Sequence, residues 1–132
     1  MKNILVVEDE ALISASLELY LKRGGYNAVI ASNGIEAIDA LARTDIDLIV
    51  TDLNMPVMDG FELIGHLLWS GSAIPVIVMS GNLDSSVERR LHALGVRHCL
   101  EKPFDLKELC ARVAHELRGL TPNEALAVYF AA

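Results

Sequence analysis

Three times in this chain a run of aliphatic residues ends abruptly on a polar group. Ile4-Leu5-Val6-Val7 stops at Glu8 and Asp9, DLIVTD (47–52) stops at Asp52, and Pro75-Val-Ile-Val-Met79 stops at Ser80. These runs do not alternate apolar with polar in the way a sheet with one wet face requires. Each reads as a strand covered on both sides, and Pro75 suits the start of one. Two further strands are expected, from Tyr26 to Ala31 and, shorter, from Val96 to Leu100.

Between the strands the spacing becomes helical. From Ala11 to Arg23 the apolar residues fall at Leu12, Ile13, Leu17, Tyr20 and Leu21, and Gly24-Gly25 closes the segment. Ser32 or Asn33 can cap a helix from about Gly34 to Arg43, with Ile35, Ile38 and Leu41 inward. After a turn-rich loop from Leu53 to Gly60, Phe61 to Trp69 is expected to be helical, with Leu63, Ile64, Leu67 and Leu68 on its apolar side. Asp84 or Ser85 caps a helix through Leu94. Asp105-x-x-Glu108 predicts a capping box at the head of a last helix, along which Leu106, Leu109, Cys110, Val113 and Leu117 share a face before Gly119. Five strand–helix units with buried strands imply a doubly wound, five-stranded parallel sheet between two helical layers. Its expected order is 2-1-3-4-5.

Composition narrows the function classes. The 132 residues carry 18 acids against 11 Lys and Arg, a net charge of −7, with no basic stripe. That is the wrong sign for direct nucleic-acid or anionic-membrane binding. The longest stretch free of charged residues, Leu63 to Leu83, contains Gly65, Gly71, Pro75 and Gly81, so no membrane insertion is expected. Only four apolar residues separate Asn3 from Glu8, too few for a secretory leader, and a cytoplasmic location is the expectation. Cys99 and Cys110 have neither disulfide-framework nor metal-site spacing and read as small buried hydrophobes. The four histidines, His66, His92, His98 and His115, also lack ligand spacing.

The expected topology collects the polar strand ends. Strands 1 and 3 become neighbours, so Glu8, Asp9 and Asp52 share one crevice at the carboxyl edge of the sheet. Three carboxylates so close repel one another unless a cation intervenes. Oxygen ligands with room for water favour Mg²⁺. Ser80 and Lys102 arrive at the same edge, and the set suits a phosphoryl group, with an Asp carboxylate as covalent acceptor. Singly, each residue has a plainer explanation. Glu8-Asp9 could favour a helix N-terminus, Asp52 could be a loop acid, Ser80 a turn residue and Lys102 a solvated lysine. Their joint arrival at one edge is what argues for chemistry.

The segments ILVVEDE, DLIVTDLNMPVMDGFEL, PVIVMSG and LEKPFDLKEL, in this order and at this spacing, resemble the response-regulator receiver domain of two-component signalling, a flavodoxin-like fold. The likeness runs from Lys2 to about Arg118. It implies that Asp52 is the phosphoacceptor and that Asp9 ligates Mg²⁺ with Glu8 assisting through water. It also implies that the Asn54 backbone carbonyl is a further ligand, that Ser80 is the switch hydroxyl and that Lys102 pairs with the phosphoryl group. Lys102-Pro103 would be a cis peptide. The implied partners are a sensor histidine kinase or phosphotransfer protein, and a downstream protein bound through the face of helix 4, strand 5 and helix 5. Such a chain is a signalling phosphoacceptor, not an enzyme acting on other substrates, and a stand-alone receiver of residues 1–118 with a tail over 119–132 is the expectation.

One position departs from the family. Cys99 stands where an aromatic switch residue is usual, three residues before the lysine, and Arg97-His98 replace an acidic pair. Either the read-out proceeds without a ring, or His98 or a helix-4 residue takes its place. Three other readings compete: a pseudo-receiver not controlled by phosphorylation, a receiver domain cut from a hybrid histidine kinase, and a hydrolase with an aspartyl-phosphate intermediate. The hydrolase needs an acid two residues after its nucleophile, where Asn54 stands. Gly60 and Gly81 read as positions set by backbone geometry, and Gly81 could also keep the site open. Met55 and Met58 read as either packing or partner contacts. In the tail, Thr121, Pro122 and Glu124 offer helix-start signals before Leu126, Val128, Tyr129 and Phe130.

Overall fold

The computed structural model describes residues 1–121, 123–125 and 127. The elements are β1 (Asn3–Val7), α1 (Ala11–Arg23), β2 (Asn27–Ala31), α2 (Gly34–Arg43), β3 (Leu48–Asp52), α3 (Gly60–Trp69), β4 (Val76–Ser80), α4 (Ser85–Ala93), β5 (His98–Glu101) and α5 (Leu106–Arg118). The sheet order is β2-β1-β3-β4-β5 with every pair parallel, which is the order expected. β3 is buried at all five positions, and β1 and β4 at all but their first residue, because helices cover both faces.

Successive strand residues feed opposite cores. Ile4, Val6, Leu48, Val50, Ile77 and Met79 pack with Leu17 and Leu21 of α1 and Leu109 and Val113 of α5. Leu5, Val7 and Ile49 join Ala37 of α2 and Leu63 and Leu67 of α3, and Val78 joins Ile64 and Leu91. Burying each such side chain contributes about 1.5–3 kcal/mol, so a one-residue register slip would misplace every one of them.

Several boundaries and faces differ from expectation. β2 starts at Asn27, not Tyr26; β4 starts at Val76; and β5 starts at His98, not Val96. Val96 is buried beneath α4 before the strand begins, its N–H on Leu91 O at 3.0 Å. Leu12, Ile35 and Leu68, placed inward by helical spacing, are exposed: periodicity finds the stripe, but each helix meets the sheet along only part of it. Asn33 and Asp84 are the caps of α2 and α4. Asp105 caps α5 through the Lys107 N–H at 2.9 Å, without the predicted capping box; Glu108 instead pairs with Arg112 at 3.0 Å. A full box forms at α3, where Asp59 and Glu62 satisfy each other's backbone.

Thr121 Oγ1 accepts the Glu124 N–H at 3.3 Å, as an N-cap would, and Ala125 is buried. Expectations for Pro122, Leu126, Val128, Tyr129 and Phe130 lie outside the described residues. Among the described residues no helix is long and apolar enough to cross a membrane.

Candidate functional site

The parallel register brings the polar strand ends together. Val7 of β1 is opposite Thr51 of β3, so Glu8 and Asp9 emerge beside Asp52. Asp52 is opposite Met79, which puts Ser80 one residue further along the same edge. Ser80 is opposite Glu101, and its carbonyl accepts the Lys102 N–H at 2.7 Å. Glu8, Asp9, Asp52, Asn54, Ser80 and Lys102 thus all lie at the edge the sequence assigns them.

Lys102 ties the acids together. Its Nζ donates to Glu8 Oε1 at 2.8 Å and to Asp52 Oδ2 at 2.6 Å, across sequence separations of 94 and 50 residues. The Glu8 side chain is fully buried, that of Asp52 nearly so and that of Lys102 largely so, which makes these short, charge-assisted bonds in a poorly solvated place. The second Asp52 oxygen, Oδ1, accepts the Asn54 N–H at 3.1 Å. Asp9 is exposed at the mouth. Ser80 is buried and its Oγ accepts the Asn82 N–H at 3.1 Å. Lys102-Pro103 is cis.

The electrostatics are unbalanced without a further cation. Burial, reinforced by the neighbouring Asp52 and opposed by Lys102, pushes Glu8 up to about 7. Burial acts to lower the Lys102 pKa, but its bonds to Asp52 and Glu8 outweigh that and hold it above the ordinary lysine value. Glu8 Oε2 is buried with no hydrogen-bond partner among the described residues. One carboxylate oxygen from each of Glu8, Asp9 and Asp52 lies within 4.8 Å of the others. An orphaned buried carboxylate oxygen among three convergent hard donors, with one side open, fits a small divalent cation such as Mg²⁺.

The loop from Leu53 to Gly60 is held closely. Gly60 N–H donates to Leu53 O at 3.0 Å, and a Cβ at Gly60 would overlap the Asp52 carbonyl and come 2.8 Å from Leu53 Cα. Both obstacles are backbone, so Gly60→Ala is expected to destabilise the protein by about 1–3 kcal/mol, read as a lower urea midpoint, and to disturb Asp52 directly. Gly81 differs: a Cβ there would meet nothing within 4 Å among the described residues, and its φ is not positive, so backbone geometry does not require it. Met55 and Met58 are half-buried against the α2–α3 core. Gly34, which the sequence marks only as a helix start, abuts this loop: its N–H donates to Met58 O at 3.1 Å.

Across the molecule, Cys99 packs against the core under α4, and burial pushes its thiol pKa up, which keeps it protonated and unreactive. Cys110 is fully buried. His98 is turned to α5, its Nε2 2.8 Å from Glu116 Oε1. The Arg90 guanidinium of α4 stacks 3.9 Å from the centre of the Phe61 ring of α3.

Residues 4–114 match the family described as response regulator receiver domain. The response regulator MprA of Mycobacterium sp. (strain KMS) is 37% identical over 124 residues, covering 92% of this chain and 53% of that protein. MprA of Mycobacterium tuberculosis (strain H37Rv) is 37% identical over 125 residues, 93% of this chain and 54% of its own. The chain thus spans about half the length of these curated relatives. Among solved structures, a response regulator receiver protein from Pseudomonas putida superposes with a TM-score of 0.83 at 38% identity, covering 87% of this chain and 97% of its own. The chemotaxis protein CheY4 of Vibrio cholerae superposes with a TM-score of 0.81 at 28% identity, covering 89% and 99%. The chain belongs to the response-regulator receiver domain family, and its fold is that of the CheY-like receivers.

Proposed function

We propose that this receiver domain takes a phosphoryl group from a phosphohistidine onto Asp52 and changes its protein contacts in response. The observation that carries the reading is Lys102 Nζ, held between Asp52 Oδ2 and Glu8 Oε1 beside three convergent carboxylates. In the transfer, an Asp52 oxygen forms a bond to phosphorus as the P–N bond of the donor breaks, and the departing imidazole nitrogen takes up a proton. Lys102 supplies positive charge to the phosphoryl oxygens. Glu8, Asp9, Asp52 and the Asn54 carbonyl would hold Mg²⁺, which neutralises charge on the transferring group. Ser80 donates its hydroxyl to the phosphorylated form. Asn54, where an aspartyl-phosphate hydrolase needs an acid, supports a slow phosphoacceptor rather than a turnover enzyme.

Residues 1–118 form the phosphoacceptor unit in this reading, and 119–132 an appendage to it. The donor is a sensor histidine kinase or a phosphotransfer protein in the cytoplasm, and the target is a protein bound at the α4–β5–α5 face. With Cys99 half-buried against the core and His98 held by Glu116, the read-out passes through movement of α4 without a ring on β5. The test is intact mass after incubation with acetyl phosphate or phosphoramidate. One base-labile phosphoryl group is expected with Mg²⁺ and none with EDTA. A protein that binds Mg²⁺ yet stays unmodified by these donors and by histidine kinases is a pseudo-receiver.

A further inference from the structure

We propose that Gly34, at the start of α2, is a positioning residue for the phosphoacceptor loop: the space left by its missing side chain seats Met58 and holds Leu53–Gly60 in the shape that the site requires. This rests on the phosphoacceptor reading of Asp52 and deepens it.

A Cβ at Gly34 would lie 2.5 Å from Met58 Cγ, 2.7 Å from its Sδ and 2.9 Å from its Cβ. Rotating Met58 could relieve the first two contacts. It cannot relieve the third, because Cβ is fixed to the backbone, so the loop itself has to move. The backbones are already joined there by the Gly34 N–H to Met58 O bond.

The loop has reason to move when released. Val57 is the sole non-glycine residue at positive φ among the described residues, at 69°. The Met58 N–H donates to Pro56 O across it at 2.8 Å, which makes Val57 the centre of a strained γ-turn. A β-branched residue is ill suited to that conformation. Val57 is 79% exposed, so packing of its own does little to offset the strain. Such a conformation persists only where its surroundings over-determine it. Here those surroundings are Gly60 against Leu53 at one end and Met58 against Gly34 at the other. Asn54 lies between them, with its N–H on Asp52. Relaxation of the loop therefore reaches both Asp52 and the Asn54 carbonyl.

Helix propensity alone gives the opposite expectation for the variant, since Ala favours a helix more than Gly does. The test is a Mg²⁺ titration of the whole chain, followed by backbone amide NMR at Asp52 and Asn54, on wild type, Gly34→Ala, Met58→Ala and the double variant. Gly34→Ala is expected to weaken Mg²⁺ binding about tenfold or more and to shift both amides even before Mg²⁺ is added. Met58→Ala is expected to lower affinity in the wild-type background and to have a smaller effect in the Gly34→Ala background, where the seat is already lost and the Cβ contact persists. Wild-type affinity in Gly34→Ala, or an equal effect of Met58→Ala in both backgrounds, overturns the proposal. If Gly34→Ala does not fold, Met58→Ala decides alone, and unchanged affinity there overturns it. If wild type itself shows no Mg²⁺ response at these amides, the phosphoacceptor reading falls first and this one with it.

Discussion

Asp52→Asn is expected to abolish phosphoryl uptake while leaving the fold intact. The amide is nearly isosteric with the carboxylate, and its oxygen can still accept the Asn54 N–H or the Lys102 ammonium that Asp52 accepts at 3.1 and 2.6 Å. It cannot form an acyl phosphate. Loss of the nucleophile removes covalent catalysis outright, so modification should fall by at least about a hundredfold, to background. Stability should move the other way or not at all. Asp52 is one of the influences that raise the Glu8 pKa, and removing its charge relieves repulsion in a buried crevice. The metal-free variant should therefore melt at the wild-type temperature or above it, while the rise produced by Mg²⁺ shrinks because a ligand is gone. Intact mass and paired thermal melts with and without Mg²⁺ check both halves. A phosphorylated Asp52→Asn protein would place the acceptor elsewhere.

Lys102→Met carries the second large effect, and it separates two roles of one side chain. The ammonium sits on two of the carboxylates that would hold a metal, 2.8 Å from Glu8 and 2.6 Å from Asp52, and its positive charge would oppose a cation there. Met keeps most of the stem volume and removes the charge. Mg²⁺ binding should become tighter, by about fivefold or more, since a unit charge a few ångströms away is worth on the order of 1 kcal/mol or more even when well screened. Phosphorylation should nonetheless slow by about a hundredfold, the usual cost of one charge-stabilising donor in group transfer. Titration calorimetry and a phosphorylation time course at saturating Mg²⁺ give the two numbers. Global damage to the site would weaken both together, so opposite signs are the mark of the specific role. Weaker Mg²⁺ binding would show that Lys102 chiefly holds the carboxylates in place.

Both substitutions fall on residues that the patterning of the chain singles out. Strands buried on both faces must be apolar throughout, so Ile4–Val7, Leu48–Val50 and Val76–Met79 announce themselves, and so do the polar residues where each run ends. Right-handed crossovers and the need to cover both faces leave few sheet orders. The placement of Glu8, Asp9, Asp52, Ser80 and Lys102 at one edge follows from topology alone.

Local sequence is a poorer guide where an interaction depends on what lies opposite. Helical spacing places Leu12, Ile35 and Leu68 inward, yet all three are exposed, because a stripe wide enough to be seen in sequence is wider than the strip of helix that touches the sheet. Asp105 and Glu108 have capping-box spacing, but Arg112 draws Glu108 away. Asp9 and Glu8 are adjacent and alike in sequence. Only the fold decides that Glu8 turns into the crevice with an unpartnered oxygen while Asp9 stays in solvent. Likewise, only the fold brings Gly34 against Met58 and Lys102 onto acids 50 and 94 residues away. Sequence periodicity records which residues must avoid water, a demand each segment makes for itself, so the strands, the layers and the contested edge can be read from it. The pairing of particular side chains is settled by register and distance across the assembled sheet, and no segment carries that information alone.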